Sequence, residues 1–214
     1  MYEFGDEYFS KEYKSYLEVR DKGLKKEGNK ILENLMLYFN KLDESVKIAI
    51  VDELFTFRFD RFPRLSEFQH QLHIQIFPIL EKMCSENKMP HLRWHYEISE
   101  NVEMLNKAYR HEDCDEKTVE LMAYHYFDCF EQGLYDIQNG IFAKEQYHNR
   151  LLDEINEFIQ RHSMENTHWQ EAHEYYRELF SNWHKYNSEN TSQTWDEWCV
   201  LHQGYAYEQY WYDL

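Results

Sequence analysis

Apolar residues recur at helical spacing along most of the chain. Ile31, Leu32, Leu35, Tyr38, Phe39 and Leu42 fall at i, i+1, i+4, i+7, i+8 and i+11, one face of a helix. Asp43 closes that helix and caps the next, whose stripe is Ile50, Val51, Leu54 and Phe55. Pro63 forbids further winding and biases Phe62 out of the α region, which predicts a stop near Arg61. Ser66 predicts the N-cap of a segment through Phe68, Leu72 and Ile76, and Pro78 predicts a kink there or two short helices. Pro90 marks another helix start. Residues 92–98 then read as a short helix, and Val102, Leu105, Ala108 and Tyr109 as its partner in a tight hairpin.

The second half continues the pattern. Asp115 caps a longer helix with Val119, Met122, Ala123, Tyr126 and Phe130 facing inward, and Gly133 with Asn139-Gly140 marks its exit into a loop over 132–142. Two strong stripes follow: Tyr147, Leu151, Leu152, Ile155 and Phe158, then Trp169, Ala172, Tyr176, Leu179, Phe180 and Trp183. After the polar tract 187–192, Thr194 and Glu197 have the spacing of a capping box ahead of Trp198 and Leu201. Strand-like alternation is confined to Phe55, Phe57 and Phe59, too short to support a sheet. The expected fold is all-α, built of stacked antiparallel helical hairpins as a tetratricopeptide-like or irregular α-solenoid. A single helical domain spans 1–214, with sub-units 1–88 and 89–214 as a finer division.

One junction carries a family resemblance. Leu105, Ala108, the acidic turn Glu112-Asp113-Cys114-Asp115, Met122, the small Ala123 and Tyr126 stand at the spacings of a tetratricopeptide repeat. Residues 92–130 therefore resemble about one and a half degenerate repeats of that family. Asp113 occupies the place of the family's turn proline, and Trp94 lies in a first helix too short for the standard period. The resemblance implies a concave surface that grips a peptide or protein, with no catalytic residues to carry over.

Composition sharpens this picture. Tyr 18, Phe 14 and Trp 6 supply far more ring area than a solvated tail needs, while Gly 6 and Pro 3 exclude collagenous and linker-like chains. Cys84, Cys114, Cys129 and Cys199 form no Cys-x-x-Cys pair, and the first residues show no basic and apolar leader. A cytoplasmic protein with reduced, mostly buried thiols is expected. The net charge is -17, and no long apolar run suggests a membrane span. Both features argue against anionic lipid or bare nucleic acid as a partner.

The acidity is lopsided. Residues 1–95 carry 16 acidic and 15 basic side chains, whereas 96–214 carry 24 and 8. Carboxylates recur on the polar faces of the two strong C-terminal helices: Asp153, Glu154 and Glu157 on one, Glu171, Glu174 and Glu178 on the other. Such a field attracts cationic partners, and the tyrosines Tyr175, Tyr205, Tyr207 and Tyr212 add contact area at low entropic cost. The candidate partner-binding set is therefore Asp153, Glu157, Glu171, Glu174, Glu178, Tyr175, Tyr205 and Tyr207, and the expected partner is a basic protein or peptide. The basic cluster from Phe57 to Arg64 interleaves rings with Arg58, Arg61 and Arg64, but Asp60 sits among them and pairing within the molecule is expected.

Catalytic readings are thin. Glu67 with His70 and Glu165 with His168 have the Glu-x-x-His spacing of di-iron carboxylate bundles, but with 28 glutamates and 12 histidines random placement alone gives such pairs. His70 with His73, His91 with His95, and His125 with Cys129 each supply two ligands where zinc takes three or four. His173, one turn from Trp169, reads as a boundary histidine satisfying a backbone carbonyl. There is no His-Glu-x-x-His, Gly-x-Ser-x-Gly or glycine-rich phosphate loop, and the carboxylates around Cys114 oppose thiolate formation. No cofactor is expected.

The leading reading is a non-enzymatic interaction protein, in its most concrete form a bacterial immunity-type or inhibitor protein that covers a cationic effector. A metal-dependent helical enzyme and a mimic of nucleic-acid charge stay open as alternatives. If Trp183 is buried as its stripe predicts, Trp183→Ala costs about 3–5 kcal/mol in urea unfolding. A near-neutral result would place the ring at an interface instead.

Overall fold

In a computed structural model the chain is all-helical over the described residues, 5–61, 70–134, 145–165, 167–189 and 191–203. Ten α-helices lie among those residues, and the chain gathers into two compact units, 1–114 and 115–214.

The first unit contains α1 (Glu7–Asp21), α2 (Lys25–Phe39), α3 (Glu44–Phe55), α4 (His70–Ser85), α5 (His91–Ser99) and α6 (Val102–Tyr109). Asp6 starts α1 by accepting from the Phe9 amide at 2.7 Å, and its second oxygen accepts from the Tyr38 hydroxyl at 2.9 Å. One carboxylate thus caps α1 and ties it to the end of α2. Between them Gly23, at φ +76°, closes a Schellman turn: its amide reaches the Arg20 carbonyl and the Leu24 amide reaches Val19. The returning α2 runs antiparallel to α1, with Phe9 against Phe39 at 5.8 Å and Gly28 close to Arg20 and Tyr16. A Cβ at Gly28 would lie 3.3 Å from Arg20 Cγ, so the glycine permits the close approach.

Asp43 stands at the N-cap of α3 as its position predicts, but its side chain makes no capping bond. The winding continues beyond α3 as a π-helical stretch, Thr56–Arg61, in which the alternating phenylalanines join helical packing: Phe59 is buried and stacks on Phe55 at 5.8 Å. Ser66 and Phe68 lie outside the described residues. Pro78 neither splits α4 nor marks its end. It stands on the exposed side with Ile74, whose carbonyl loses its intrahelical donor where water can replace it. Pro90 precedes α5, and α5 with α6 forms the expected short hairpin, its turn made by Glu100 at φ 55° and the Asn101 cap.

A charged set sits inside this unit. Arg93, 3% exposed, donates to Asp60 Oδ1 at 2.6 Å and to Glu97 Oε1 at 3.2 Å. Asp60, among the arginines of the basic cluster, thus belongs to a guanidinium from α5. Arg58 is itself half-buried over the Phe59 ring; burial lowers its pKa, opposed by Tyr13 and Glu97. The side chain of Arg61, together with Phe62 and Arg64, lies outside the described residues.

The second unit contains α7 (Glu116–Leu134), α8 (Glu145–Arg161), α9 (His168–Ser188) and α10 (Trp195–Gln203). Asp115 starts α7 as predicted, accepting from the Thr118 amide at 2.8 Å. Its buried stripe is Met122, Ala123, Phe127 and Phe130, so Phe127 takes the inward place expected of Val119 and Tyr126, which are half-buried. Gly133 lies within α7 rather than at its exit, and 135–142, with Asn139-Gly140, falls outside the described residues. Ring contacts set the helix directions. Phe130 meets His148 and Tyr126 meets Phe158, so α8 runs antiparallel to α7; His148 meets Phe180 and His173 bonds Leu152, so α9 runs antiparallel to α8. Against α10, Trp183 packs edge-on to Trp195 at 5.3 Å, and Trp195 stacks on Trp198 at 5.8 Å. The Thr194–Glu197 capping box forms in full, each residue's amide donating to the other's side chain.

Two further inward assignments are corrected. Tyr147 is 47% exposed and His148 takes its place in the core; Leu201 is 67% exposed because Cys199, with Trp195 and Trp198, fills the buried face of α10. Of the four thiols, Cys84 and Cys199 are buried, Cys114 is half-buried and Cys129 exposed, so burial is less general than expected. Removing the guanidinium at Arg93 takes away the cation that Asp60 and Glu97 both bind, so Arg93→Ala costs about 3–5 kcal/mol in urea unfolding. A loss below about 1 kcal/mol would show the charged set to be incidental.

Candidate functional site

The hairpin of α8 and α9 carries the candidate surface. Its turn is closed by a second Schellman motif, in which the Ser163 amide reaches the Gln160 carbonyl and the Met164 amide reaches Ile159. Ser163 occupies the left-handed position at φ 53°, normally a place for glycine. Thr167 then starts α9, its hydroxyl oxygen accepting from the Trp169 amide. His173 Nε2 meets the Leu152 carbonyl at 3.0 Å, the backbone-satisfying role its position predicts, and ties the two helices together.

The side chains of Leu151, Leu152, Ile155, Phe158 and Ile159 on α8, and of Trp169, Ala172, Tyr176, Leu179, Phe180 and Trp183 on α9, turn into the core. Helical geometry sends the opposite positions outward. Asp153 and Glu157 on α8, and Glu171, Glu174 and Glu178 on α9, are all exposed. Each set lies opposite its own helix's buried stripe, so the two make separate acidic ridges on neighbouring helices rather than the walls of one pocket. Glu174 accepts from Gln170 Nε2 at 2.9 Å, and Glu154, beside the candidate set, stands 3.5 Å from Arg150. Tyr175 is half-buried and packs edge-on against Tyr176 at 5.2 Å, which leaves only part of its ring for contact. Tyr205, Tyr207 and Tyr212 lie outside the described residues.

The excess charge coincides with this unit: residues 115–214 hold 19 acidic and 6 basic side chains. Its interior adds one partly buried carboxyl that the helix pattern did not single out. Glu131 on α7 accepts the Tyr176 hydroxyl of α9; burial raises its pKa, the bond from Tyr176 lowers it, and Asp128 nearby raises it.

The metal-ligand pairs part company. His91 goes to Asp52 at 2.8 Å and His95 to Ser99 at 2.9 Å, while the ring of His73 lies against Phe77. Glu67 and the side chain of His70 lie outside the described residues. His125 and Cys129 do meet, at 3.7 Å, but burial lowers the histidine's pKa and raises the thiol's. Burial also pushes the Cys84 thiol up to about 12, and that thiol donates to the His91 carbonyl. Among the described residues no three histidine, cysteine, aspartate or glutamate side chains come together as a metal site. Nor is any helix there long and apolar enough to cross a membrane.

Compared with known proteins, the chain matches no family model, no curated protein and no solved structure. The hairpin turn is open to a direct test. Replacing the left-handed serine, Ser163→Gly, raises stability by about 1 kcal/mol, read as a higher urea midpoint. A lower midpoint would mean that glycine's backbone entropy outweighs the relief.

Proposed function

We propose that this protein binds a basic protein or peptide through the acidic outer faces of α8 and α9, and that its work is binding rather than catalysis. The observation that carries the reading is the exposure of Asp153, Glu157, Glu171, Glu174 and Glu178 on two helices whose opposite sides are locked into a ring-filled core. A rigid backbone holds those charges at fixed spacing. A cationic partner then meets a preformed field and gives up little entropy to order it. In its most concrete form the protein is an immunity-type or inhibitor protein that covers the working surface of a cationic effector.

Reversing Glu171, Glu174 and Glu178 together to Lys tests the assignment. All three are exposed, so the variant folds. Its association with partners captured from native lysate slows about tenfold or more at low salt, and the salt dependence flattens. Unchanged capture and unchanged salt dependence would discard α9 as the contact. Capture that duplex DNA displaces would favour mimicry of nucleic-acid charge over ordinary docking.

A further inference from the structure

His148, on the second turn of α8, is 1% exposed, and among the described residues neither Nδ1 nor Nε2 has a hydrogen-bond partner. Its ring is held by rings. Phe130 of α7 meets it edge-on at 5.6 Å, and Phe180 of α9 meets it at 4.3 Å. Phe180 in turn contacts His184, also at 4.3 Å, so one phenylalanine carries an imidazole contact twice. The groups facing His148 are few. From α7 there is Phe130, the adjacent Glu131 being bonded to Tyr176; from α9 there are Phe180 and the titratable His184; on α8 itself the neighbouring ring is Tyr147. Among these described groups the carboxylate is Glu131, and its Oε1 already takes the Tyr176 hydroxyl. The other buried histidines differ: His173 bonds the Leu152 carbonyl, and His95 bonds Ser99.

An imidazolium in that place would bury a charge with two N–H donors and, among the described residues, nothing to receive them, a cost that falls away once α8 leaves the cluster. We propose that His148 is an acid-sensitive latch: neutral, it completes the ring cluster joining α7, α8 and α9, and on protonation it opens the second unit. The direction of titration agrees, since burial first and the charge of His184 second hold its pKa below the ordinary histidine value. A depressed folded value means that the unfolded chain binds the proton more readily. The contribution to stability is full above the unfolded pKa of about 6.5 and is lost as pH falls through the folded value.

The test is urea unfolding of the full chain between pH 7.5 and 5, followed by tryptophan fluorescence, for the wild type and His148→Phe. The phenylalanine keeps an aromatic ring in the cluster and removes the proton site. Over this window the wild-type unfolding equilibrium shifts toward the unfolded state more steeply than the variant's, by up to about tenfold per pH unit, the effect of one extra proton taken up. Identical pH slopes would overturn the proposal. Should the variant fail to fold, NMR titration of the wild-type imidazoles decides. A His148 signal that titrates only as the folded signals of α8 disappear supports the latch, and one that titrates near 6.5 in an intact fold refutes it.

Discussion

The second unit depends on how aromatic rings fill the space between its helices. Trp169 takes contacts from Tyr124 and Phe127, Tyr176 from Phe127 and Phe130, and Phe180 from Phe130 and His148, so α7 and α9 are joined through rings. Such pairs contribute beyond their buried area and favour tilted and edge-on arrangements, which restrict how each helix can rotate about its axis. Rotation is the variable that matters for function. Turning α8 or α9 would move buried rings to solvent and outward carboxylates toward the core. The inward rings therefore fix which way the carboxylates point.

That constraint explains why the acidic residues face outward. Asp153, Glu157, Glu171, Glu174 and Glu178 occupy positions that helical geometry places opposite the buried stripe, so their outward display follows from packing. The first unit is organised differently. There several acids meet bases from neighbouring positions: Asp60 and Glu97 hold Arg93, Glu44 meets Lys82, and Glu103 meets Lys107. The near balance of charge in the first half leaves bases at hand for such pairs, and the excess of acids in the second half leaves few.

Much of this was legible in the sequence wherever a local rule dominates. The Thr194–Glu197 box, the Asp115 cap, the short α5–α6 hairpin and the inward ring stripe of α9 follow from spacing alone, because a cap and a stripe are decided within one or two helical turns. Misreadings arose where two residues compete for one place. Tyr147 and His148 are adjacent, and hydrophobicity favours the tyrosine, yet the ring cluster around Phe130 and Phe180 takes the histidine. Leu201 follows the apolar pattern but lies beyond the reach of the Trp183 cluster that covers Trp195 and Trp198. The helix α1 goes unannounced because Phe9 and Tyr16 are its only buried residues, spaced among charges. Pro78 predicts an interruption that α4 does not show, because the rule against internal proline ignores which side of the helix meets water. Of the candidate site, the acidic set could be read from polar spacing. The latch histidine could not, since its signal is the absence of partners in three dimensions.

Zero-length carbodiimide cross-linking in native lysate, read by mass spectrometry, tests the central claim most directly because it joins only carboxylates and amines in contact. The account predicts links from Asp153, Glu157, Glu171, Glu174 or Glu178 to lysines of a basic partner. Links confined to carboxylates of residues 1–114, or none to another protein, would contradict it.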